Sequence, residues 1–180
     1  MAADLRELPG WARDLLAHAP VGHLSYLDDQ DRPRVLPVTF AVAGEELWTA
    51  IDQKPKRKPP DQVARVRYLR RRPRAALCAD HYEDDWTRLA WVQVMASVEV
   101  VEAGTVQSAL TGLQAKYPHY VNDPPDGPFL RLRPERVLCW RAFGGLSRTT
   151  APDGVSSLRP SRSLRATASP RRSASRRRSG

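Results

Sequence analysis

Residues 88–102, RLAWVQVMASVEVVE, place an apolar side chain at every even position from Ala90 to Val100, while the odd positions mix Leu89, Trp91, Gln93, Met95, Ser97 and Glu99. A period of two sustained this long is that of a β-strand with one face in a core and the other against something less uniform. A helix, turning every 3.6 residues, would scatter those even positions around its circumference. The remainder of the chain therefore has to supply partner strands for one long strand.

The partners are legible. VGHLSYLD (21–28) reads as a strand, DDQDRP as a turn, and RVLPVTFAVAG (34–44) as a second strand. After the turn at Gly44-Glu45-Glu46, ELWTAID (46–52) pairs with the second strand as a hairpin. RAALCADHY (74–82) precedes the long strand, and FLRLRPERVLCWRAF (129–143) closes the series, which makes six. Three helices fall between them. Leu8 to Ala19 has Trp11, Leu15 and Leu16 at helical spacing, Pro9 in its first turn and Pro20 at its end. DQVARVRYLRRR, starting near Pro59-Pro60-Asp61, puts Val63, Val66 and Leu69 on one face before Pro73 stops it. Thr105 is the expected cap of a helix through Ala115. Antiparallel strands with short flanking helices make a small α+β barrel.

The formal net charge of +9 is unevenly spread. From Leu146 onward there are nine Arg and one Asp, a net +8, leaving about +1 for everything before. The last thirty residues hold eight Ser and eight Arg and no aromatic residue. Such a segment has too little apolar surface to offset its ordering entropy, so the expected organisation is a domain over 1–145 and a disordered Ser/Arg-rich tail over 146–180. Nucleic acid would be bound, if at all, non-specifically through that tail. Cys78 and Cys139 match no CxxC or zinc pattern, and acidic residues interrupt any signal-like N-terminus. The expectation is a cytoplasmic protein without a membrane span. Asp80, His81, Asp84 and Asp85 crowd one loop without a distant partner at ligand spacing, so they read as a polar loop and no metal is expected.

The chemistry concentrates in LWTAIDQKPKRKPP (47–60), where Lys54, Lys56, Arg57 and Lys58 follow an apolar strand. Such a cluster suits an address signal, a nucleic-acid patch or a grip on one phosphate. A nearby helix start and mixed Lys and Arg favour the phosphate, and Arg65, Arg67 and Arg70 to Arg72 extend the cationic surface.

Arg34-Val35-Leu36-Pro37-Val38, then Leu47-Trp48-Thr49-Ala50-Ile51-Asp52 and Lys54-Pro55-Lys56, resemble the flavin-binding core of the pyridoxamine 5'-phosphate oxidase-like split β-barrels. Asp80 to Trp86, Arg88-Leu89, Trp91-Val92, Lys116-Tyr117-Pro118-His119-Tyr120 and Gly127-Pro128 make the chain similar to the subgroup that uses the deazaflavin coenzyme F420. The resemblance implies a six-stranded antiparallel split β-barrel (the FMN-binding split barrel) that pairs as a homodimer, with the cofactor in a groove at the interface. It also implies hydride transfer between reduced F420 and a small-molecule substrate, with FMN as the alternative cofactor. Carried over by position, Arg34, Val35, Leu36, Pro37, Val38 and Thr39 would line the ring system and ribityl chain. Thr49, Ala50 and Ile51 would flank the ribityl-phosphate, and Lys54, Lys56 and Arg57 would neutralise it. Trp86, Arg88 and Trp91 would stand near the groove or the dimer contact. The mechanism requires no side-chain acid or base for the hydride itself, and His81 and Tyr82 are the nearest proton-donor candidates.

Overall fold

The long alternating strand is the middle of the sheet. In the computed structural model, which describes residues 4–52, 59 and 62–142, the elements are α1 (Gly10–His18), β1 (Gly22–Leu27), β2 (Pro33–Val38), β3 (Ala41–Ala43), β4 (Glu46–Ala50), α2 (Ala64–Arg71), β5 (Arg74–His81), β6 (Ala90–Val101), α3 (Gln107–Lys116), α4 (His119–Asn122) and β7 (Phe129–Arg141). Short 3-10 turns cover Leu5–Glu7 and Trp86–Arg88. The strands form one antiparallel sheet in the order β2-β1-β5-β6-β7-β4-β3. Val92, Val94, Ala96 and Val98 of β6 are buried and their odd-numbered neighbours are half-buried or exposed, as the alternation requires.

Seven strands stand where the pattern and the resemblance give six. The run from Arg34 to Gly44 is not one strand: β2 pairs with β1 at one edge of the sheet and β3 pairs with β4 at the other, with only Thr39 and Phe40 between them. Two consecutive strands at opposite edges force the sheet to curl, and the covalent crossover, not a hydrogen-bonded ladder, joins its ends. The sheet is thus an unclosed form of the split barrel. Val38, Leu47, Leu24, Leu77, Val94 and Leu132, drawn from six strands, meet in a single core cluster with Ala12 and Leu16 of α1 and Leu69 of α2. A second cluster packs Ala109 and Leu113 of α3, with Tyr117 and Tyr120, against Ala41, Trp48, Ala50 and Phe129.

Local chemistry explains the joints. Gly44 takes φ +66° in the tight β3–β4 turn, a conformation that favours glycine. β6 and β7 slip register where Met95 faces Arg136 and Ala96 faces Pro134, so Glu135 is the extra residue of a bulge beside a proline that has no N–H to give. α3 starts one residue later than the sequence suggests. Val106 occupies the cap position, and the Thr105 hydroxyl instead donates to the Glu102 carbonyl at 2.8 Å. The expected start of α2 at Pro60 and Asp61 lies outside the described residues, as do Phe143 at the expected end of the last strand, the domain end at 145 and the tail over 146–180. No described helix is long and apolar enough to cross a membrane.

Candidate functional site

The crossover at Thr39–Phe40 leaves the ladders on both sides, so its backbone groups need other partners. Two tyrosines from the α3–α4 junction provide them. The Tyr117 hydroxyl accepts the Phe40 N–H at 3.0 Å, and its proton lies between the carbonyls of Phe40 and Pro20, each 3.1 Å away. The Tyr120 hydroxyl lies 2.8 Å from Thr39 Oγ1 and donates to Asp52 Oδ2 at 3.3 Å. The two phenol rings meet edge-on at 5.8 Å. Lys116 completes the support: its Nζ donates to the Leu16 carbonyl at 2.9 Å near the end of α1 and stands 3.6 Å from the centre of the Phe40 ring. Burial pulls the Lys116 ammonium down to about 8.

Beside this clamp is a cleft of about 310 Å³ walled by Val21, Pro37, Val38, Thr39, Ala50, Asp52 and Arg65. Val38 and Ala50 bring apolar surface from β2 and β4. Arg65, in the first turn of α2, brings charge. Its Nε is buried with no hydrogen-bond partner among the described residues. Burial pulls the guanidinium below its usual value, while the charge of Asp52 opposes that, and arginine stays protonated across the physiological range. A half-buried guanidinium that walls a mixed apolar and polar cleft is suited to the anionic end of a ligand. Ordinary small-molecule sites span about 300–1,000 Å³. The cleft is therefore large enough for one end of a nucleotide-like cofactor and leaves the rest to a further surface.

Of the sequence-predicted residues, Pro37, Val38, Thr39 and Ala50 are brought together in this cleft. The others are placed differently. Arg34 lies 4.0 Å from Asp28 in the β1–β2 turn, Val35 points to solvent on the edge strand, and Leu36 packs on the main core. Thr49 shares the inward face of β4 with Leu47; its Oγ1 is buried without a hydrogen-bond partner among the described residues and does not wall the cleft. Ile51 is fully buried, and its backbone bonds with Gly127 and Pro128 give the Gly-Pro motif a structural task, fixing the exit of β4. Lys54, Lys56 and Arg57 lie outside the described residues.

Arg65 stands out from the row of cations in which the sequence placed it, and Tyr117 and Tyr120 acquire roles that the motif alone did not assign. The one available signal for Arg65 was its spacing four residues before Leu69, which puts it on the inward side of the helix. Asp80 and His81, expected in a loop, instead end β5, where Asp80 lies 3.4 Å from His23 of β1. The segment beyond is held by Arg88 Nε to Glu83 at 2.8 Å, His81 to Glu83 at 3.5 Å, and the Asp85 carboxylate on the Thr87 N–H at 3.0 Å. No group of three ligating side chains among the described residues could hold a metal ion. His81 and Tyr82 do not wall the cleft, and Tyr82 and Trp86 are largely exposed.

Solved structures share the fold at low identity. An F420 reductase aligns at 21% identity and a TM-score of 0.57 over 73% of this chain and 98% of its own. A FAD-binding protein from Mesorhizobium loti aligns at 18% and 0.53 over 73% and 94%. A heme-binding protein from Mycobacterium smegmatis aligns at 22% and 0.60 over 74% of this chain, which spans only 54% of that protein. Comparison with curated proteins gives no match. The family model for pyridoxamine 5'-phosphate oxidase matches residues 8–141, a stretch that holds the whole described sheet, the tyrosine clamp and the cleft, and the chain belongs to that family.

Proposed function

We propose that the chain is an oxidoreductase that binds the deazaflavin coenzyme F420 in the cleft beside the crossover and passes hydride between it and a small-molecule substrate, with two copies enclosing the cofactor. The observation that carries this reading is Arg65: a half-buried guanidinium that lines the same cleft as Pro37, Val38, Thr39 and Ala50. Its chemistry fits a phosphate, which takes a forked, charge-assisted donor. The deazaflavin supplies a hydride-donating ring when bound and reduced. The chain's own contribution is to hold and exclude: Arg65 on the anionic end, and Val21, Val38 and Pro37 as apolar walls that keep water from the ring. Lys54, Lys56 and Arg57 follow β4 in sequence and would add to the same charge. The F420 reductase among the fold relatives supports the choice of coenzyme.

A second copy is supported by the outward face of the sheet. Register places Val35, Ser25, Ala76, Met95 and Arg136 in one row across β2, β1, β5, β6 and β7. Ser25, Ala76 and Met95 of that row line, with Pro33, Ala75 and Ala96, a mainly apolar hollow of about 460 Å³, the kind of surface that a partner sheet covers. The test is to titrate the full chain with F420 and with FMN, following tryptophan fluorescence, and to measure its mass in solution. F420 binding by a dimer is the expected outcome. Binding of FMN alone would replace the deazaflavin by the flavin, and binding of neither would reject the site.

A further inference from the structure

The Asp52–Tyr120–Thr39 contacts run in one direction, and that direction fixes what the cleft offers a ligand. Asp52, beside the charge of Arg65, is a carboxylate and can only accept. The 3.3 Å contact with Tyr120 therefore uses the single phenol proton. Tyr120 then has no proton left for Thr39, so in the 2.8 Å contact the Thr39 hydroxyl is the donor. With its own proton spent, Thr39 faces the cleft with lone pairs alone. We infer that Tyr120 is a positioning residue which, through Asp52, makes Thr39 an acceptor-only group, so that the cleft selects a ligand carrying an O–H or N–H donor within reach of its anionic end.

The arrangement is rigid. Tyr120 is 2% exposed, its ring centre stands 4.1 Å from that of His119 and 5.8 Å from that of Tyr117, and Tyr117 fixes the next residue, Phe40, at both backbone groups. Burial pushes the phenol above its usual range, with a smaller opposing effect from the Thr39 hydrogen bond, so the donor to Asp52 is retained at neutral pH. Charge on one wall and an acceptor on the other describe a phosphorylated polyhydroxy chain better than a bare phosphate or an alkyl phosphate. This rests on the cofactor reading of the same cleft, and it adds the requirement for a hydroxyl or amide donor.

A double-mutant cycle tests it, with F420 and FMN as probes and the full chain as protein. Thr39→Val keeps the shape and removes the acceptor; it should weaken binding about tenfold, the size of one well-placed hydrogen bond. Tyr120→Phe leaves the Thr39 hydroxyl free to turn and should weaken binding about threefold. The double variant should bind no more weakly than Thr39→Val alone, because Tyr120 acts only through Thr39. Thr39→Ser should restore affinity to within about twofold. Additive losses, or loss in Tyr120→Phe without loss in Thr39→Val, would make Tyr120 a merely structural residue and overturn the inference while leaving the cofactor site standing. Failure of the unmutated chain to bind either probe would overturn both.

Discussion

Two bends flank β2, and they are built from opposite chemistry. The turn from β1 into β2 is organised by one carboxylate: Asp28 Oδ1 accepts the N–H groups of Gln30 and Arg32, both at 3.0 Å, and Oδ2 accepts Arg32 Nε at 2.9 Å. Arg72, at the end of α2, donates to the Asp28 carbonyl at 3.3 Å and pairs with Asp31, the one described non-glycine residue at positive φ. The crossover from β2 into β3 is held by two neutral phenols. The first bend is closed by a carboxylate on its own backbone, whereas at the second the backbone of Phe40 is held by a neutral phenol and charge enters only behind it, at Asp52 and Lys116. Acid should therefore undo the hairpin turn and leave the Tyr117 contacts with Phe40 in place.

The largest expected effect sharpens the phenol side. Tyr117→Phe removes the partner of a buried N–H and one partner of a buried carbonyl at Phe40, a loss of about 1–3 kcal/mol, to be read as a lower urea midpoint at unchanged slope. The carboxylate side comes next. Burial acts to raise the Asp28 pKa, but the backbone bonds from Arg32 and Gln30 and the Arg32 guanidinium outweigh it, so the group titrates below its usual 3.8. Its contribution is complete above that value and is lost as pH falls through the lower folded one. Unfolding measured from pH 5 downward should show a decline that Asp28→Asn flattens. A third effect, confined to alkaline pH, concerns Lys116, which joins the clamp to α1. Folded, it gives up its proton near pH 8, and unfolded near its ordinary 10.5. The unfolded chain binds more protons between those values, so this group makes stability rise with pH from about 8 upward, and Lys116→Met should remove that rise.

The same contrast shows what could be read from sequence. The β1–β2 turn was readable because DDQDRP is dense in turn-forming residues, and β6 because alternation is a local property of the chain. The crossover was not. Leu36 to Ala43 is almost continuously apolar, with Pro37 at an edge position and no glycine before Gly44, so nothing local breaks it; the break is made by Tyr117, 77 residues away. Thr49 shows the limit of motif transfer, since its position in the motif says nothing of which face of β4 it takes. Arg65 shows the limit of counting charge: five described arginines in and beside α2 look alike in composition, and only packing puts one of them in the cleft.

That distinction gives the most direct test of the central claim, that the half-buried Arg65 guanidinium holds the anionic end of the cofactor. Arg65 and Arg67 lie two positions apart on α2, one walling the cleft and the other exposed with its guanidinium 5.1 Å from the centre of the Tyr68 ring. Affinity for F420 and for FMN should fall about 10- to 100-fold in Arg65→Met, the loss of a charge-assisted pair, and change less than about twofold in Arg67→Met. Equal losses in the two variants would mean that a diffuse cationic surface binds the cofactor, and an unchanged affinity in Arg65→Met would place the phosphate elsewhere.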